Sequence, residues 1–388
     1  MFKLVSQAHH LADRVVLVRL ETNVPLRGKK VVDDSRLREA IPTIRFLLRR
    51  GARLILLGHL GRPHGKYSAK LSLKPIGYAL GKLLKQPVKI MEFKRGRDAI
   101  RRAAQTSIVL LENIRFEPGE DENSRELAKH LASLGDLYVN EVFSTSHHAA
   151  ASIVGITRHL PPYAGFALAQ EVAALERVRK VGSKPVVLVV GGAKVADKLP
   201  VISKLLPRVS AVLVGGAVAN TFLLARGYKV GKSLVDRSVL KEARRILRQA
   251  KNKIILPLDV IVDKVVTKRH ESIWREVNKV KPNESIVDIG TRTTQKFAPY
   301  LKQAQTVFWS GPLGLVEEPA WRHGTESLAR LASARARGPA YVLVGGGDTV
   351  AFFHEKKLWV DHASLAGGAM LQFLAGEKLP GLTALGYR

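Results

Sequence analysis

The 388-residue chain contains no cysteine. This excludes disulfides, thiolate metal sites and cysteine nucleophiles, and it fits a reducing cytoplasm. No apolar run approaches the roughly eighteen residues of a membrane span. The N-terminal stretch MFKLVSQAHHLADR has no apolar h-region, so no signal peptide is expected. Acidic residues are scarce: 33 Asp+Glu stand against 63 Lys+Arg, a formal net charge of +30. Aromatics make up only 6% of the chain, and no aromatic-rich basic motif or zinc finger accompanies the charge. The basic residues are spread through helical patterns such as LREAIPTIRFLLRR and LKEARRILRQAKNK. Nonspecific polyanion binding at low salt is therefore expected, and a specific nucleic-acid partner is not. A Walker A loop is missing too: GYKVGKS at 227–233 has too few residues between its glycines. No strand runs into GxGxxG, and no Ser-His-Asp pattern stands out.

What is present is an alternation of short β-rich runs with helical patterns, over a length that suits two domains. The first half offers RVVLVRL (14–20), ARLILLG (52–58), SIVLLEN (107–113) and DLYVNEVF (136–143). The second offers PVVLVV (185–190), AVLVGG (211–216), KIILPLD (253–259), SIVDIG (285–290), TVFWSG (306–311) and AYVLVGG (340–346). All are read as strands of parallel sheets. Pro42 is expected to kink or restart the helix that begins near Leu37.

The two halves end their strands differently. First-half strands run into Glu21 and Asn23, His59 and Arg62, Asn113 and Arg115, and His147 and His148. Second-half strands run into GGAK, GGAV, DIGT, SGPLG and GGGDT. Ligands of open α/β sheets bind at the carboxyl ends of the strands. The first half thus suits a small anion, and the second suits nucleotide phosphates near helix N-termini. Asp348 in GGGDT is read as a helix N-cap, or as a Mg²⁺ contact if it faces polyphosphate. Adjacent histidines on an extended segment point to opposite sides, so His147-His148 is not read as a metal site. Leu168, Val172, Leu175 and Val178 form one stripe on a helix that joins the halves. An anion half beside a nucleotide half suits a kinase.

These stretches resemble the phosphoglycerate kinase family over nearly the full chain. The matching motifs are TNVPL, DDSRLR, GHLGRP, LLENIRF, YVNEVF, GGAKVADK, GKSLV, LPLDV, DIG, SGPLGLVE, GGGDT and LPGLTAL, in that order. The resemblance implies two Rossmann-like, three-layer α/β lobes, each a parallel sheet flanked by helices. A 3-phosphoglycerate domain would span 1–165, an interdomain helix and hinge 166–182, and a nucleotide domain 183–368. Residues 369–388 would return to the first lobe. It implies a cytoplasmic, monomeric glycolytic enzyme that uses Mg²⁺ with ADP or ATP and closes its lobes for transfer. Asn23 matches a contact to the substrate hydroxyl, with Glu21 beside it. Arg36 matches a contact to the carboxyl and the transferring phosphoryl. His59, Arg62 and Arg115 match contacts to the substrate's own phosphate. Lys194 matches a lysine on the transferring group, and Lys198 one on the nucleotide phosphates. Gly192, Ala193, Gly216, Gly290, Ser310 and Pro312 match the nucleotide site. Glu317 matches the ribose contact and Asp348 the Mg²⁺ contact, with Thr349 beside it. Gly346, Gly347, Gly367 and Gly368 match backbone donors, with Gly347 and Gly367 at the transferring group.

The chain departs from the family pattern at the pocket edges. Glu21 stands for Asp, Thr22 for Phe, His148 for a phosphate-binding Arg and Ala150 for His. Ala217 stands for Gly, Thr291 for Pro, Ser310 for Asn, and Leu365-Ala366 for Thr-Gly. Weakened substrate affinity is expected, and through His148 it should fall from pH 6 to pH 8. The alternative is an altered or inactive relative that acts as a basic polyanion-binding protein.

Overall fold

The computed structural model describes residues 2–180, 183–264 and 272–388. The last two residues of the expected interdomain helix, 181 and 182, lie outside the described residues. The strands in chain order are β1 Val15–Arg19, β2 Leu26–Arg27, β3 Lys30–Val31, β4 Arg53–Leu57, β5 Val88–Met91, β6 Ile108–Leu111, β7 Leu137–Asn140 and β8 Pro162–Ala164. They continue as β9 Val186–Val190, β10 Ala211–Val214, β11 Ile254–Ile255, β12 Asp259–Asp263, β13 Ile273–Glu276, β14 Ser285–Ile289, β15 Thr306–Ser310, β16 Tyr341–Gly345 and β17 His362–Ser364. The helices are α1 Ser35–Arg49, α2 Lys74–Leu84, α3 Arg97–Ala103, α4 Arg125–Ser133, α5 Phe166–Arg179, α6 Val195–Leu205, α7 Gly216–Ala225, α8 Leu240–Gln249, α9 Thr291–Gln303, α10 His323–Ala336, α11 Gly347–Glu355, α12 Gly368–Leu374 and α13 Pro380–Ala384.

Two compact units emerge. Unit one holds Met1–Ala173 with Lys378–Arg388, and unit two holds Ala174–Glu377. Helix α12 packs on α6 within unit two, whereas Gly381 donates its N–H to Ser146 within unit one. Helix α5 runs through the division. Its four stripe residues are all buried.

Unit one carries a six-stranded parallel sheet in the order β5-β6-β4-β1-β7-β8. Alternate β1 residues enter opposite cores. Val16 and Val18 meet Leu37 and Ile44 of α1 and Ile76 of α2; Val15 and Leu17 meet Ile100 of α3 and Leu127 of α4. This two-sided burial explains why the strands read as unbroken apolar runs. Unit two repeats the plan in the order β11-β10-β9-β15-β16-β17. Each chain path leaves its first strand in one direction and then returns to its other side. The reversals fall between β1 and β7 and between β9 and β15, and ligands enter such sheets at these points.

The structure corrects part of the strand reading. KIILPLD breaks into β11 and the start of β12, and SIVDIG (β14) does not join the parallel sheet. It pairs antiparallel with β12, which pairs antiparallel with β13. Alternation of apolar runs does not encode strand direction. Pro42 does not restart its helix, because α1 runs on through it. Its missing N–H costs one backbone bond, and Leu37, Ala40, Ile41, Ile44 and Leu47 remain on one buried face.

Candidate functional site

In unit one, charged and polar side chains gather at the carboxyl ends of β1, β4, β6 and β7. Asn23 ties three segments together. Its N–H donates to Glu21 Oε1 (3.0 Å), its Oδ1 accepts from Gly61 N (3.1 Å), and its carbonyl accepts from Arg36 Nη1 (2.8 Å). Arg36 thereby leaves the first turn of α1 toward the β1 loop. Asn113 caps the turn after β6, accepting from Arg115 N (3.1 Å) and donating to Leu60 O (2.8 Å). Arg115 donates to Gly61 O (2.9 Å) and pairs with Asp121 (3.2 Å). His59 is buried, and its pKa falls well below the usual histidine value. Burial is the main cause, followed by the charges of Arg19, Arg115 and Arg36 and by His148.

His147 and His148 lie in a turn with ring centroids 3.8 Å apart. The extended reading of this segment is therefore corrected: the rings lie together, tilted by 41°, and do not diverge. The pKa of His148 is lowered by partial burial and then by Arg115 and Arg62. This moves the expected pH window downward. Arg62 is exposed. Glu21 Oε2 accepts from Ser144 Oγ, across the β1/β7 switch point. Arg19, buried behind His59, escaped the sequence reading, since its place inside an apolar strand hides it.

In unit two the loops after β9, β10 and β15 cross backbone to backbone. Gly192 N donates to Pro312 O (2.8 Å), and Gly216 N to Leu313 O (2.9 Å). A Cβ on Gly191 would lie 2.0 Å from Pro312 O. Several of these glycines therefore build the architecture. Gly290 is one of them, since a Cβ there would strike the Asp259 carboxyl. Gly347 is different. It opens α11 without a positive φ, and nothing lies within 4 Å of where its Cβ would be. Gly367 is also open on its Cβ side, at φ +55°. Asp348 does not cap α11. The cap is Gly346, and Asp348 points from the first turn, exposed. Thr349 is structural: its buried Oγ1 accepts from Gly311 N (2.8 Å). Ala193 and Lys194 are exposed at the start of α6, and Glu317 is exposed on the loop after β15.

Lys198, one turn into α6, is buried and donates to Ser310 Oγ. Burial pulls its pKa down to about 8; Asp197 and Asp348 oppose the drop, and Lys194 adds to it. Ser310, Lys198, Lys194 and Asp348 thus form one electrostatic cluster beside α11. Among the described residues, no three His, Asp or Glu side chains are placed to hold a metal by themselves. A lone Asp348 beside open helix N–H groups fits a magnesium ion held mainly by phosphates and water. No helix among the described residues is long and apolar enough to cross a membrane.

Comparison with known proteins gives these clusters a context. The family described as phosphoglycerate kinase matches residues 6–377. A phosphoglycerate kinase of Thermomicrobium roseum is 43% identical over 381 residues, covering 96% of each chain. That of Rubrobacter xylanophilus is 42% identical, covering 97% of each. The solved phosphoglycerate kinase of Coxiella burnetii superposes with a TM-score of 0.89 at 37% identity, over 100% of this chain and 99% of its own. On matches of this extent, the chain belongs to the phosphoglycerate kinase family.

Proposed function

We propose that the chain transfers a phosphoryl group reversibly between 1,3-bisphosphoglycerate and ADP, giving 3-phosphoglycerate and ATP. Unit one would bind the phosphoglycerate and unit two the nucleotide. Toward 1,3-bisphosphoglycerate, a carboxylate oxygen of 3-phosphoglycerate attacks the γ-phosphorus of ATP, and the bond to the β-phosphate oxygen breaks. The nucleophile is already ionised, so no general base is required. What the protein supplies is position and charge. Asn23, His59, Arg62, Arg115 and His148 orient the acceptor. Arg36 and Lys194 neutralise the transferring group, assisted by the α11 N–H groups at Gly347 and by Gly367. Lys198 meets the nucleotide phosphates, and Glu317 the ribose. Asp348 would hold Mg²⁺ together with the phosphates, and the ion would offset phosphate charge. Because the two ligands belong to different units, transfer requires the units to bring them together.

The observation that carries the reading is the pairing of an open glycine at α11 with a buried, strained lysine beside it. An anion at this helix start would meet open backbone on one side and relieve the buried ammonium on the other. A coupled assay of Mg·ATP with 3-phosphoglycerate tests it: the wild type should turn over, and Lys194→Met and Arg36→Met should each lose at least a hundredfold in kcat. Absence of turnover by folded protein that binds Mg·ADP would overturn it. Monomeric behaviour and a cytoplasmic location go with this reading, checked by light scattering and by fractionation.

A further inference from the structure

Arg19 ends β1 with its side chain almost wholly buried. Each of its three nitrogens has a partner. Nε reaches Ser152 Oγ (3.0 Å), Nη1 reaches Leu20 O (2.7 Å), and Nη2 lies 3.1 Å from His59 Nδ1. Behind it, Ser152 Oγ donates to Glu120 Oε1 (2.5 Å), and Ser152 N donates to Oε2 (2.9 Å). Tyr138 OH donates to Ser152 O (2.8 Å). The backbone of His59 is fixed as well: its carbonyl accepts from Thr22 Oγ1 (2.7 Å). Thr22 can sit there because residue 58 is glycine, where a Cβ would lie 2.3 Å from that oxygen.

A guanidinium has only donors. The atom facing Nη2 must therefore offer a lone pair, so Nδ1 of His59 carries no proton. The groups around the ring come from every neighbouring segment: Arg19 on β1, Arg36 on α1, Arg115 after β6 and His148 after β7. All of them disfavour an imidazolium. A neutral ring with a bare Nδ1 has its proton on Nε2.

We infer that Arg19 is a positioning residue that locks His59 as the neutral Nε2–H tautomer, so that His59 offers the substrate phosphate a directed donor and no charge. The positive charge at this edge comes from the arginines. The functional half of the inference rests on the proposed role of His59; the tautomer half does not. Burial first and the neighbouring arginines second keep the ring neutral, and the lock then gives the His59 contact one geometry across the physiological range, where a free histidine would change its charge. Thr22 fixes the backbone of His59 and Arg19 its ring, and Glu120 balances the buried guanidinium through Ser152.

The test uses the full chain labelled with ¹⁵N-histidine, with His59→Gln to assign the ring. Spectra from about pH 5.5 to 8 should show His59 neutral throughout, with a pyridine-type Nδ1 and a protonated Nε2. An imidazolium in that range, or a proton on Nδ1, would overturn the lock. In Arg19→Met combined with Glu120→Gln, which leaves no lone buried charge, His59 should stay neutral, because burial remains, but mix its two tautomers. The KM for 3-phosphoglycerate should rise about fivefold, the loss of one oriented hydrogen bond, with kcat at saturation within about twofold. A folded double variant that keeps the single Nε2–H tautomer would refute the role of Arg19. If the double variant does not fold, the wild-type spectrum alone decides the tautomer. Should His59→Gln leave KM unchanged while the spectrum is as stated, the functional half fails and the lock stands, which separates the two ideas.

Discussion

Replacing Lys198 with methionine should stabilise the free protein while removing nucleotide affinity. The ammonium is buried, and its pKa drops from 10.5 to about 8, with burial the leading cause. That difference disfavours the charged form by about 3 kcal/mol at pH 7. The sign follows from proton counts. The folded pKa lies below the unfolded one, so the folded state holds fewer protons between pH 8 and 10.5. The penalty is therefore complete below pH 8 and fades as pH rises to 10.5. Methionine keeps the volume and loses the penalty. It also loses the bond to Ser310, worth about 1 kcal/mol. The net expectation is a gain of about 2 kcal/mol at pH 7, shrinking toward zero by pH 9.5. The assay is denaturant unfolding, following the transition that Mg·ADP stabilises in the wild type. Calorimetry supplies the other half. Wild-type affinity for Mg·ADP should fall about thirtyfold from pH 7 to pH 9.5 as the free lysine loses its proton, and Lys198→Met should bind weakly and without that pH dependence. A methionine variant less stable than wild type at pH 7, or a flat wild-type profile, would refute the idea that the lysine is strained in the free state and relieved by phosphate.

The glycines of unit two should separate into two classes. Gly347→Ala, with open space around its Cβ, should change stability by less than about 1 kcal/mol and raise the nucleotide KM at least tenfold. Gly191→Ala, whose Cβ would lie 2.0 Å from Pro312 O, should lower the melting temperature sharply. The same ranking for both in thermal melts and kinetics would count against this division. In unit one, His148→Arg should lower the KM for 3-phosphoglycerate about tenfold at pH 7.5, since it restores one charge-assisted bond. Wild-type affinity should improve as pH falls below 6.5, and the arginine variant should not respond; titrating KM from pH 5.5 to 8 decides this. Glu141 is buried under the start of α5, where Oε1 accepts from Ala167 N (3.2 Å), and burial raises its pKa to about 7. A carboxyl raised in the folded state makes stability fall between about pH 4.5 and 7. Glu141→Gln should flatten the unfolding profile there by up to about 3 kcal/mol relative to wild type.

Much of the fold is legible because parallel strands buried on both faces read as pure apolar runs. Val186–Val190 and Ala211–Val214 could hardly be anything else. The short outer strands β5, β8 and β17 are not legible, since half-buried edge residues carry no such run. The β12–β14 sheet is illegible for another reason: direction depends on connections across the fold. At the site, the exposed cations announce themselves because nothing apolar surrounds them. Arg19 does not, for within VVLVRL it looks like the end of a strand whose side chain turns out to solvent. Only the placement of Ser152 and Glu120, more than a hundred residues away, reveals that it turns in. Glycine roles are equally hidden. GGAK and GGGDT look alike in sequence, yet Gly191 is required by a crossing loop and Gly347 by nothing in the protein.

Four of the positions that depart from the family pattern have partners or charged neighbours at the site. Glu21 is held by Ser144, Thr22 holds the carbonyl of His59, and Ser310 takes the ammonium of Lys198. His148 shares its surroundings with Arg62 and Arg115. Each of these four thus acts on the orientation or charge of a neighbour that the transfer would use. None removes a group that the chemistry requires, because an ionised carboxylate needs no base and charge neutralisation is distributed over several cations. Substitutions of this kind tune affinity and its pH response before they touch the reaction. The kinetic signature to expect is therefore an altered KM with a preserved kcat, and Ser310→Asn, which changes the partner of Lys198, should move the nucleotide KM more than kcat.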